Sequence, residues 1–139
     1  MKEANLTPAQ IKRAYKALAN VPYAGLLGIE IENLAFGSAT LGIRVRKKLT
    51  QNHGVVHGGA MASLIDSATA FAIITLLAPA EKVTTVDLTI SYLRPVTNGR
   101  LICRAKVLRA GRRILVVSAE VLDGEQTLVA TALSTYIRV

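Results

Sequence analysis

The sequence predicts an α+β domain in which an antiparallel sheet curls around one long apolar helix. Three observations carry this. Gly58–Ala80 is a long apolar stretch whose only charge is Asp66. Strand-like segments flank it, two before and four after. The turns joining those segments are short, which makes neighbouring strands antiparallel. A helix that is apolar nearly all round must be buried on most sides, and a sheet wrapped around it does that. The chain has 139 residues, the length of one domain. We read 1–139 as a single domain, with 1–22 as an N-terminal helix and lead-in.

Thr7-Pro8-Ala9-Gln10 reads as a helix start: Thr7 caps, Pro8 suits the first turn and Gln10 completes a capping box. Ile11, Tyr15 and Leu18 then fall on one helical face, and Asn20 and Pro22 end the helix. Residues 26–34 and 38–46 read as strands joined at Phe36-Gly37; Leu41, Ile43 and Val45 alternate with Gly42, Arg44 and Arg46 in the second. A loop over residues 47–56 leads into the apolar helix, expected over about 58–77 and stopped by Pro79. Four strands are expected over 83–94, 100–109, 113–122 and 127–139. In the first of these, Val86, Leu88, Ile90 and Tyr92 share one face, and Thr85, Asp87 and Thr89 the other.

Composition narrows the function. Hydrophobic residues make up 51%, which excludes a disordered chain. One cysteine, Cys103, forms no intrachain disulfide, which favours a reducing compartment, and we expect the cytoplasm. One Cys with two His, His53 and His57, rules out zinc-finger spacing, and no metal is expected. The first residues hold no apolar core, so no secretory signal is expected. Asp66 lies well inside the apolar stretch, where a bilayer would make it costly, so that stretch reads as a core helix and not a membrane span. The net charge of +8 points to an anionic partner: nucleic acid, an acidic membrane or a phosphorylated small molecule.

The chemistry concentrates in Gln51-Asn52-His53-Gly54-Val55-Val56-His57-Gly58-Gly59, followed by Asp66. Gly58 and Gly59 fall at the helix N-terminus, where the first N–H groups lack intrahelical partners and the dipole is positive. They form either an ordinary glycine-rich helix entry or a site that polarises a carbonyl. Asp66 is either a carboxylate satisfied by Ser63, Thr69 or a neighbouring strand, or a general base or nucleophile in a dry pocket. Gln51 and His57 flank the loop; they can orient a ligand, or His57 can brace the loop through a backbone hydrogen bond. Eight residues separate Gly58 from Asp66, about 12 Å along a helix, whereas reacting groups must converge to about 3–3.5 Å. Two antiparallel copies related by a two-fold axis would set Asp66 of one against Gly58 of the other, so this chemistry calls for a dimer at least.

The pattern Gln-x5-His-Gly-Gly-x6-Asp, with the later strand Val-Asp-Leu-Thr-Ile-Ser-Tyr-Leu-Arg-Pro, resembles hotdog-fold acyl-CoA thioesterases. It is most similar to the subgroup that includes phenylacetyl-CoA and 4-hydroxybenzoyl-CoA thioesterases, over roughly Tyr23 to Arg138. The resemblance implies a homodimer or homotetramer, Gly58 donating its N–H to the thioester carbonyl, and Asp66 acting as general base or nucleophile. It implies that Gln51 and His57 support the carbonyl site. Some members carry a Ser or Thr near Thr85 that holds the attacking water; others carry it four residues after the acid, where this chain has Ala70. The substrate would be an acyl-CoA with an aryl or medium-chain acyl group, and no separate cofactor is required.

The resemblance also gives the charge a purpose. Arg94, Arg100, Arg104, Lys106, Arg109, Arg112 and Arg113 fall between Leu88 and Ala119, where there is no acidic residue. Arginine suits phosphate, and Gly59, Arg94, Arg112 and Arg113 match positions that meet coenzyme A. An alternative is a non-catalytic acyl-CoA or nucleic-acid binding module on the same fold. Against nucleic acid, aromatic residues are only 4% and Trp is absent, so stacking platforms are sparse.

Overall fold

A computed structural model of the chain describes residues 5–139. The first four residues of the opening stretch expected to carry no signal, Met1–Ala4, lie outside the described residues. Helix α1 spans Pro8–Ala19. Its capping box forms as expected: the Gln10 N–H donates to Thr7 Oγ1 at 3.1 Å and the Thr7 N–H to Gln10 Oε1 at 2.7 Å. The apolar face is turned from its expected direction. Ala14 is its buried residue, Ala17 and Leu18 are partly buried, and Ile11 and Tyr15 stay exposed. The Arg13 guanidinium ties the helix down by donating to the Leu77 carbonyl at 2.9 Å.

The next element differs from the expected strand over 26–34. Residues Pro22–Leu27 form a short helix, α2, and β1 begins only at Glu30 (Glu30–Ala35). Pro22 starts α2, Ala24 and Leu27 bury its inner side, and Gly28 ends it in a left-handed conformation with φ 75°. Arg46 reaches back across the chain and donates to the carbonyls of Leu26 at 2.6 Å and Leu27 at 3.0 Å. These are the carbonyls that a helix end leaves without partners.

Strand β2 (Ser38–Arg44) follows a tight turn at Gly37, then a loop, then the central helix α3 (Gly58–Ile74). The helix stops three residues earlier than expected. The Thr75 hydroxyl donates to the Ala72 carbonyl and accepts from the Gly37 N–H at 2.8 Å, which ties the helix end to the β1–β2 turn. Strands β3 (Val83–Tyr92), β4 (Arg100–Ala110), β5 (Ile114–Leu122) and β6 (Leu128–Arg138) complete a six-stranded antiparallel sheet of order β1-β2-β4-β5-β6-β3.

The sheet wraps α3 chiefly with β2, β4 and β5. Leu41, Cys103, Val121 and Ala130 form one row across its inner wall; Ala39, Ala105, Ala119 and Ala132 form the next. A row of alanines lets the helix approach closely, and Leu64, Ile65, Ala68, Ala72 and Ile73 of α3 are wholly buried against the wall. β3 lies at the free edge and has a bulge between Thr85 and Asp87. The bulge resets the alternation expected from sequence. Thr85 stands opposite Tyr136 and Leu88 opposite Ser134, so Thr85 joins the inner face that it was expected to oppose.

Candidate active site

The loop ahead of α3 is a miniature hairpin. Thr50 bridges Val56, the Gln51 N–H donates to the Val55 carbonyl at 2.8 Å, and Gly54 turns with φ 75°. The Val56 N–H donates to the Val96 carbonyl and the His57 N–H to the Leu49 carbonyl, both at 2.8 Å. These bonds deliver His57 to the N-cap of α3, where its Nδ1 accepts the Gly59 N–H at 2.8 Å. His57 therefore braces the helix entry, and Gly59 spends its N–H on that brace. No described residue accepts the Gly58 N–H, which is left at the positive end of a 17-residue helix.

Tyr92, at the end of β3, fixes Gly58 from the other side. Its hydroxyl donates to the Gly58 carbonyl at 2.9 Å, and a Cβ built on Gly58 would stand 3.4 Å from the ring. Gln51, Val56, Gly58, Met61, Tyr92 and Arg94 line a cavity of about 300 Å³ at this helix end. Two of the sequence candidates, Gln51 and Arg94, are thus brought together with Gly58.

Asp66 lies two turns further along α3. Its side chain is exposed on the single chain, and no described residue donates to its carboxylate. Ser63 and Thr69 instead serve the backbone: Ser63 donates to the Gly59 carbonyl at 2.8 Å and Thr69 to the Asp66 carbonyl at 3.0 Å. Partial burial of the carboxyl raises its pKa above the usual carboxylate value. Beneath it lies a buried hydroxyl cluster. Tyr136 Oη is 2.8 Å from Thr69 Oγ1 and donates to the Asp66 carbonyl at a long 3.4 Å. Burial first, then the Asp66 charge, raises the Tyr136 pKa, while hydrogen bonds from Thr69, Thr85 and Ser134 lower it. Thr85 therefore belongs to the Asp66 end of the arrangement, through Tyr136. Sequence reasoning did not find Tyr92 or Tyr136. A phenol in a strand needs a polar partner when buried, but both partners are more than thirty residues away.

Arg112 and Arg113 are not brought together with Gly58. They occupy the β4–β5 turn, next to Arg138 and beyond the C-terminal end of α3. Two other basic residues are committed within the chain: Arg100 pairs with Glu32 and Glu30, and Arg138 with Glu81. Among the described residues there is no group of three or more metal-ligating side chains, and no helix is long and apolar enough to cross a membrane.

An antiparallel six-stranded sheet curled around a central helix is the hotdog fold. The chain belongs to the thioesterase superfamily, whose model matches residues 53–130, and it is a hydrolase of that class. A candidate esterase of Saccharolobus solfataricus is 33% identical over 138 residues, covering 99% of this chain and 91% of the relative. The medium/long-chain acyl-CoA thioesterase YigI of Escherichia coli K12 is 27% identical over 133 residues, covering 85% of this chain and 86% of YigI. Among solved structures, the PaaI protein from the phenylacetic acid degradation operon of E. coli superposes with a TM-score of 0.88 at 27% identity, covering 96% of each chain.

Proposed function

We propose that the protein hydrolyses an aryl or medium-chain acyl-CoA to the free acid and coenzyme A, in a site shared by two subunits. One observation carries the reading: a free N–H at Gly58 and an exposed, unpartnered carboxylate at Asp66 lie on one helix, too far apart to meet within one chain. The names of YigI and PaaI support a CoA thioester and the two acyl classes.

In an antiparallel helix pair that sets Asp66 against Gly58, the thioester carbonyl accepts the Gly58 N–H. Asp66 of the partner subunit takes a proton from water, the oxygen attacks the carbonyl carbon, and the C–S bond breaks as the thiolate leaves and is protonated. Partial burial makes Asp66 a stronger base than an ordinary carboxylate, as proton abstraction from water requires. In the same pairing the partner's α3 runs eight residues past Gly58, about 12 Å. That brings the partner's β4–β5 turn toward the mouth of the site, so Arg112 and Arg113 would meet the CoA phosphates from the second subunit while Arg94 meets them from the first. Apolar residues left exposed on the sheet, Leu108 and Leu133, suit further pairing into a tetramer. With Cys103 as its single cysteine the chain forms no intrachain disulfide, which suits a reducing compartment such as the cytoplasm.

The test is thiol release from a panel of aryl, short, medium and long acyl-CoA substrates. Turnover of aryl or medium-chain members is expected. No turnover anywhere on the panel, together with tight acyl-CoA binding, would replace this reading with the non-catalytic module.

A further inference from the structure

The outward face of α3 from Gly58 to one turn past Asp66 carries small residues beside Asp66: Gly59, Ala62, Ser63 and Ala70. Nothing on that face limits the length of an acyl group lying along it. The element that reaches this face is α2. The Tyr23 hydroxyl stands 2.8 Å from Ser63 Oγ, and Ser63 in turn donates to the Gly59 carbonyl at 2.8 Å. Ser63 is one helical turn from Gly59 on one side and from Asp66 on the other, so all three share a face. A Tyr ring is therefore pinned beside the line that joins the two groups, while 54% of Tyr23 remains exposed.

The helix that carries this ring is held firmly for its six residues. Ala24 and Leu27 bury its inner side, and Arg46 holds its last carbonyls. Gly28 suits this end, since its φ of +75° strains other residues and a Cβ there would come within 2.9 Å of the Arg46 guanidinium. A surface helix anchored this well, presenting an exposed ring to a stripe of small residues, has the form of a wall.

We infer that Tyr23, held by Ser63, is the wall of the acyl pocket and sets the length of acyl group that the enzyme prefers. The inference rests on the acyl-CoA reading above. It makes α2 a specificity element separate from the Gly58 and Asp66 machinery. Removing the phenol ring opens room for roughly three or four methylenes, and each methylene newly buried is worth about fourfold in kcat/KM.

The experiment is a kcat/KM profile over butyryl-, hexanoyl-, octanoyl-, decanoyl- and dodecanoyl-CoA for the wild type, Tyr23→Ala and Tyr23→Trp. The decanoyl-to-hexanoyl ratio should rise at least ~10-fold in Tyr23→Ala and fall in Tyr23→Trp. The half-exposed site keeps both variants folded, and thermal melts check this. Unchanged ratios, or a uniform fall across all chain lengths, would overturn the wall and leave Tyr23 only a strut between α2 and α3. A wild type inactive on every acyl-CoA would overturn the acyl-CoA reading itself, and the wall with it.

Discussion

Replacing Gly58 by proline removes one hydrogen-bond donor and little else. Gly58 is the first residue of α3, a position where proline is well tolerated because its φ suits the helix and its N–H has no intrahelical partner. Proline also restricts the residue before it to extended backbone, and His57 already has φ −64° and ψ 133°. The new ring meets Tyr92, whose nearest atoms lie 3.4 Å from the added Cβ. Gly58→Ala controls for that contact, since it adds the same Cβ and keeps the N–H. Losing a single donor to a developing oxyanion costs about 10²–10³-fold in kcat, roughly 3 kcal/mol. The assay is thiol release on the best acyl-CoA, with melting temperatures of both variants alongside. Gly58→Pro should lose about 10²–10³-fold relative to Gly58→Ala at a similar melting temperature. Activity of Gly58→Pro within about threefold of Gly58→Ala would refute the role of the Gly58 N–H.

Two further perturbations probe Asp66 and its support. Asp66→Asn should lower kcat about 10²–10⁴-fold with the fold intact. Because the folded-state pKa of Asp66 is raised, the acid limb of the wild-type pH–rate profile should lie above the usual carboxylate range. The same shift means that its contribution to stability is present at low pH and lost as pH rises through the folded pKa, so Asp66→Asn should melt higher than wild type at neutral pH; a lower melting temperature would contradict the desolvation of Asp66. Tyr136→Phe removes the bond to Thr69 and should cost about 1 kcal/mol, about 3 °C in melting temperature. It should also lower kcat about tenfold through misplacement of Asp66, with KM nearly unchanged; a KM effect with kcat intact would show that Tyr136 serves binding and not the placement of Asp66.

Much of this architecture is written in local sequence. The capping box at Thr7, the apolar helix from Gly58 and most of the strands follow from periodicity and turn residues, and the bounds of β2 to β6 agree within two residues. That Gly58 and Asp66 stand too far apart on α3 to meet within one chain was legible from the helix rise alone. Features set by distant partners were not legible. Helix α2 has six residues, too few for periodicity to distinguish a helix from a strand; Arg46, nearly twenty residues on, completes its end. The bulge at Val86 is held where Ser134 Oγ donates to the Asp87 carbonyl at 2.9 Å, a contact spanning 47 positions. The basic residues looked alike in sequence, yet Arg100 and Arg138 are neutralised by Glu32 and Glu81, while Arg94 lines the cavity beside Gly58.

The claim on which the rest depends is that Gly58 and Asp66 act across a subunit boundary. Subunit mixing tests it most directly. Gly58→Pro and Asp66→Asn, each nearly inactive, are dissociated together and reassembled. A hybrid dimer then holds one site with native Gly58 and native Asp66 and one site lacking both. Random pairing makes half of the dimers hybrids with one intact site of two, so activity should return to about a quarter of the wild-type value. A mixture no more active than its two parents, with hybrid formation confirmed by mass, would contradict a shared site.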